Sequence, residues 1–101
     1  IYIFDVYSNP AKPKLVRTLS DLPAKTGLVG PHTFYAMPGR MLVQFLSNTK
    51  DHGGVTGMAQ FTNSGKLVKT VAMPTDNGGD GYGYDIGINP GRNVMLTSSF
   101  T

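Results

Sequence analysis

The sequence predicts an all-β protein assembled from repeated four-stranded units. Three observations carry that expectation: a composition tilted toward turns, short apolar runs separated by turn residues, and two motifs that return at one fixed offset. Among 101 residues, glycine occurs 13 times and proline 7 times, and glutamate is absent. Helices draw on Ala, Leu, Glu, Lys and Gln, whereas turns draw on Gly, Pro, Asn, Asp and Ser. This balance therefore favours short strands and many turns. A hydrophobic fraction of 40% suits a packed protein and is too high for a disordered one.

Taken in order, residues 1–6 read as a first strand, broken by Ser8-Asn9-Pro10-Ala11-Lys12-Pro13, because two prolines do not sit inside a ladder. Residues 14–19 make a second strand, and 20–31 a loop. Residues 32–37 and 41–46 are the third and fourth strands, joined by a Pro38-Gly39 turn. The polar stretch 47–54, with its Gly53-Gly54 pair, is a loop. Residues 57–61 and 66–71 flank Asn63-Ser64-Gly65 as a hairpin. A long glycine- and aspartate-rich loop covers 74–83. Residues 84–88 and 94–98 flank Asn89-Pro90-Gly91-Arg92-Asn93, a further hairpin. The chain opens on strand-like Ile1 and closes on strand-like Ser98-Ser99-Phe100-Thr101, which is expected of an excerpt rather than a complete domain.

The repeat can be counted. Lys14-Leu15-Val16-Arg17-Thr18 returns as Lys66-Leu67-Val68-Lys69-Thr70, and Pro38-Gly39-Arg40 returns as Pro90-Gly91-Arg92, both at an offset of 52. Four strands in a unit of that length match one blade of a β-propeller. A β-sandwich would also give many short strands, but it would not require the repeat. The expectation is a partial propeller over 1–101, with blade-like units at about 1–50 and 51–101 and no complete domain boundary inside the chain. Propellers typically close with about 4 to 8 blades, so the remaining blades of a longer parent chain are expected partners.

Composition also excludes function classes. No cysteine is present, hence no disulfide, thiolate nucleophile or Cys metal ligand. The net charge of +3 comes from Lys and Arg scattered over turns, not from the stripe with stacking aromatics that nucleic-acid binders use. No run approaches the roughly 18 apolar residues of a membrane span. Periplasm and cytoplasm both stay open as compartments.

Few residues carry candidate chemistry. His32 opens the third strand after Gly30-Pro31. If that strand is the innermost of its blade, His32 lies at the mouth of the channel where propellers place ligands, and imidazole is the commonest metal ligand. The alternative is a histidine bonded to a loop carbonyl. His52, between Asp51 and Gly53, reads as a solvated loop residue. Asp76-Asn77-Gly78-Gly79-Asp80-Gly81 has the ingredients of a calcium loop without EF-hand spacing, and turn-forming Asp and Gly explain it equally. The offset of 52 maps His32 onto Tyr84 and Thr33 onto Asp85, so two strands present polar groups at one level. Asp85 is the candidate catalytic carboxylate, the alternative being a cap on loop amides. The five methionines read as packing residues.

Several runs resemble the selenium-binding protein family, whose bacterial members include methanethiol oxidases. They are Ile1-Tyr2-Ile3-Phe4-Asp5-Val6, Pro13-Lys14-Leu15, Pro31-His32-Thr33, Gly83-Tyr84-Asp85 and Asn89-Pro90-Gly91-Arg92-Asn93-Val94-Met95. The resemblance implies a seven-bladed propeller that oxidises methanethiol, a small thiol, with oxygen and water to formaldehyde, hydrogen sulfide and hydrogen peroxide. It implies copper bound by histidines, with His32 as the metal ligand here and Thr33 and Asp85 as supporting residues. The family commonly reads His-Thr-x-His, and this chain has Tyr35 in the second histidine place. On a regular strand, residues 32 and 35 point to opposite faces. The alternative function is a non-enzymatic propeller that binds selenium, a metal or a protein partner, including a divergent member that has lost its metal.

Overall fold

The structure, a computed structural model, describes residues 1–99; Phe100 and Thr101, read above as strand, lie outside them. The described residues form eight strands, all paired antiparallel, with one short helix and one 3-10 turn.

β1 (Tyr2–Asp5) and β2 (Lys14–Thr18) form a hairpin. In the connection, Asp5 accepts from the backbone N–H groups of Tyr7 and Ser8 and from the Ser8 hydroxyl, which holds its carboxyl below the ordinary aspartate value. The stretch expected to be a loop contains a helix, α1 (Leu22–Thr26). Pro23 sits in its first turn, Gly27 ends it at φ 70° with its N–H on the Pro23 carbonyl, and Asp21 pairs with Lys25 at 2.6 Å. A single turn is too short to show helical periodicity, which is why only its end signals are visible in the sequence.

β3 (Leu28–Met37), β4 (Arg40–Asn48), β5 (Gly57–Thr62) and β6 (Leu67–Ala72) form a four-stranded sheet in chain order. Pro38 and Gly39 fill the two-residue β3–β4 turn, Gly39 taking φ 69°. β7 (Ile86–Asn89) and β8 (Val94–Thr97) close the chain as a hairpin across a 3-10 turn at Pro90–Arg92. Both proline–glycine motifs that set the offset thus lie at hairpin turns. The sheets contain two, four and two strands, so the four-stranded sheet crosses the midpoint near residue 50. Hydrogen bonding, rather than the sequence offset, determines which strands share a sheet.

β3 starts four residues earlier than the sequence suggests. Pro31 is tolerated because β3 is an edge strand that pairs with β4 alone, so its missing N–H breaks no ladder. Gly30 adopts φ 68°, and the register slips between Pro31 and Thr33. His32 is the extra residue of that bulge, and bulges re-aim side chains.

Both faces of the central sheet are covered. On one face Val43, Phe45, Ala59 and Phe61 pack with Leu19, Leu22 and Leu28, and Ile1 and Ile3 of the first hairpin close over them. On the other, Met58 and Met73 pack with Ile86, joined by Tyr35 and Leu42. The three sheets therefore stack in layers. The outermost apolar side chains stay exposed: Tyr2 at 68%, Val16 at 63% and Leu96 at 73%.

Candidate functional site

The site forms where the β3 bulge meets the segment leading into β7. The His32 ring stacks on the Tyr84 ring with centroids 4.2 Å apart and planes inclined by 36°. His32 Nδ1 lies 3.1 Å from the Tyr84 carbonyl and 2.9 Å from Thr33 Oγ1. A carbonyl only accepts, so a hydrogen bond to it puts the proton on Nδ1, whereas the nearer Thr33 hydroxyl can also donate to a bare Nδ1. In the neutral ring with Nδ1 protonated, Nε2 keeps its lone pair. The expected alternative, a histidine beside a loop carbonyl, is met at Nδ1. His32 is exposed.

The Thr33 hydroxyl donates to the same Tyr84 carbonyl at 3.2 Å. Its single proton can instead go to the Asp85 carboxylate, which also lies within reach. That contact, followed by the Ile86 N–H at 2.9 Å and the nearby His32, holds the Asp85 carboxyl below the ordinary aspartate value. Asp85 is thus ionised at neutral pH and partly caps a backbone amide, as its alternative reading expected. Backbone bonds from Tyr84 N to Ser98 O and from Ser98 N to Asp85 O extend the β7–β8 pairing to these residues. Asp85 opens onto a shallow hollow of about 400 Å³ that Ile86, Gly87 and Leu96 also line.

The structure brings together four residues that the sequence offset placed at one level: His32, Thr33, Tyr84 and Asp85. Tyr35 departs from the regular-strand expectation. Because of the bulge, His32 and Tyr35 both reach the 84–88 segment, and the Tyr35 hydroxyl donates to the Ile88 carbonyl at 3.0 Å. Tyr35 is a bridge to β7, with its polar atom already in use.

The other candidates lie apart from this cluster. His52 is exposed in the β4–β5 loop at φ 53°. In the 74–83 loop, Asp80 accepts from Tyr82 N–H and the Ser99 hydroxyl, and the carbonyls of Pro74 and Asp76 accept from Gly81 and Gly79. Those oxygens serve the loop's own turns. Among the described residues, no three His, Cys, Asp or Glu side chains come together as a metal site. His32 is therefore a single candidate ligand.

Sequence reasoning gave Tyr84 no role of its own and missed Gln44, which is wholly buried on the site side of β4. Tyr84 was discoverable through its offset to His32. Gln44 was not, since one glutamine in an apolar strand carries no pattern.

No protein-family model matches the chain, and no solved structure matches it. Curated relatives do. The whole chain is 63% identical over 101 residues to a methanethiol oxidase of Hyphomicrobium sp, of which it spans 23%. It is 47% identical over 113 residues to a methanethiol oxidase of Ruegeria pomeroyi, spanning 26% of that protein. A methanethiol oxidase of Danio rerio is 26% identical over 103 residues. The chain spans about a quarter of the length of the curated relatives it matches.

Proposed function

We propose that this chain, homologous along its whole length to methanethiol oxidases, supplies His32 to the reaction site of such an enzyme. The observation that carries the reading is the contact of His32 Nδ1 with the Tyr84 carbonyl at 3.1 Å. With the Nδ1 proton on that carbonyl, Nε2 of this exposed residue would be a donor of the kind copper accepts.

The residues present fit one imidazole ligand, and the remaining ligands would come from outside this segment. When bound, copper would supply an electron acceptor for a soft thiol sulfur and an electron donor to oxygen. The net conversion takes methanethiol, oxygen and water to formaldehyde, hydrogen sulfide and hydrogen peroxide. The chain's own residues hold the site in shape. Thr33 and the Tyr84 carbonyl orient the imidazole, and ionised Asp85 provides a fixed negative charge and a proton acceptor beside it.

The test uses the full-length protein, its His32→Ala variant and its Asp85→Ala variant. Copper per chain and methanethiol-dependent peroxide release are followed together. Loss of both copper and turnover in His32→Ala is expected, with a turnover defect in Asp85→Ala. Retention of both in His32→Ala sinks the ligand role, and unchanged turnover in Asp85→Ala removes the role of that carboxylate. A metal-free, inactive wild type favours the alternative, a non-enzymatic propeller that binds a partner.

For the fold we infer one complete propeller blade, β3–β6, flanked by half-blades of its two neighbours in a seven-bladed ring. Layered antiparallel sheets in chain order, apolar outer faces and relatives about four times longer support this reading. The occupants of those faces would be the other blades. The isolated 101-residue segment is expected to self-associate through Tyr2, Phe4 and Leu96. Analytical ultracentrifugation checks this, and a monodisperse monomer would count against the ring.

A further inference from the structure

We propose that Gln44 is a positioning residue for His32, acting through Gly83 and the Tyr84 carbonyl. The inference rests on the reading of His32 as a ligand.

Gln44 is 0% exposed, one of two wholly or nearly buried polar side chains, with Thr56, among the described residues. Its Nε2 donates to the Phe45 carbonyl at 2.9 Å and to the Gly57 carbonyl at 3.1 Å. These bonds fix the amide and turn Oε1 away from both carbonyls, and Oε1 has no hydrogen-bond partner. A buried acceptor left unpaired is costly. Tying β4 to β5 accounts for the Nε2 donor and leaves Oε1 without a role.

Gly83 supplies the account. A Cβ added to Gly83 would lie 2.3 Å from Gln44 Nε2 and 2.8 Å from Cδ. The flat amide thus rests directly on the Gly83 backbone, where only hydrogen fits. Gly83 is buried, and the carbonyl of the following residue, Tyr84, meets His32 Nδ1 and Thr33 Oγ1. Thr33 is also the cross-strand partner of Gln44 in the β3–β4 register. Gln44 therefore lies against Gly83, one residue before the Tyr84 carbonyl, and across the strand pair from Thr33. It is the seat on which the Tyr84 carbonyl is aimed, and the aim of that carbonyl sets the His32 tautomer.

The test uses the metal-free full-length protein labelled with 15N-histidine. Two-bond nitrogen–proton spectra report each tautomer, and the His32 signals are assigned by their loss in His32→Ala. The wild type is expected to hold His32 with the proton on Nδ1. Gly83→Ala forces the seat apart and Gln44→Ala removes it, so each is expected to move His32 toward the Nε2–H form, leaving other histidines unchanged. The double variant is expected to regain part of the Nδ1–H form relative to Gly83→Ala, because the lost amide makes room for the methyl. General loosening of the fold would not give that rescue, since independent losses add. A wild-type tautomer at His32 in either variant that folds overturns the proposal, as does an Nε2–H tautomer in the wild type. Copper content of His32→Ala judges the ligand reading separately: retained copper removes that reading and leaves the tautomer result standing.

Discussion

Phe45→Ala in the full-length protein is expected to lower stability by about 3–5 kcal/mol, the range for truncating a buried aromatic. Phe45 is 0% exposed in β4, the strand covered on both faces. Its ring belongs to the cluster of Leu19, Leu22, Leu28, Val43, Ala59 and Phe61. Those neighbours come from α1, β3, β4, β5 and the stretch after β2, so a cavity there loosens the contact between the first hairpin and the central sheet. The surroundings are also pinned. The Phe45 carbonyl accepts from the Thr56 hydroxyl at 2.8 Å and from Gln44 Nε2, which limits collapse into the void. Net stabilities run at about 5–15 kcal/mol, so the loss is a large share. Chemical denaturation midpoints check it, with Phe45→Leu expected to fall between wild type and Phe45→Ala. A loss under about 1 kcal/mol would mean that the site repacks and is not the centre of the core.

Gly57→Ala is expected to cost about 1–3 kcal/mol, as overpacking does. A Cβ at Gly57 would meet the Val71 carbonyl oxygen at 2.6 Å, the Ala72 Cα at 3.4 Å and the Leu28 side chain at 3.4 Å. The first of these is backbone and does not rotate away, so β5 and β6 must separate where Gly57 faces Ala72. The Gly57 carbonyl also accepts from Gln44 Nε2, which carries the disturbance toward the site. The check is a fall in thermal midpoint together with faster amide exchange along β6. Exchange that rises only in the β3–β4 turn would contradict the stated clash.

The strands were legible because each is an apolar run between strong turn residues, and Pro38-Gly39 and Asn63-Ser64-Gly65 mark their turns by chemistry alone. The start of β3 was not. Gly30-Pro31 reads as a breaker, and only the edge position of the strand makes proline harmless there. Helix α1 was hidden for a different reason: five residues are fewer than two turns. At the site, the type of each residue was visible and its direction was not. His32 and Tyr35 reach the same segment because one bulged residue shifts the alternation, and a bulge has no sequence period. The grouping of strands into sheets of two, four and two was equally invisible, because a repeat gives a period and leaves its phase open.

Every strand pair in the structure joins neighbours in the chain, and the longest connection between paired strands is a short loop. This has a consequence for how the protein is made. Folding slows as the contacts to be formed grow more distant along the chain, and a ribosome delivers sequence from one end. Each hairpin can zip as soon as its second strand emerges, without waiting for later sequence. The contacts of His32 with Tyr84 are then among the last to form, since 51 residues of intervening chain must be synthesised first. The four-stranded sheet β3–β6 would be complete before an unseated imidazole could matter, so variants at the site should be synthesised as well as the wild type even where they fail to function.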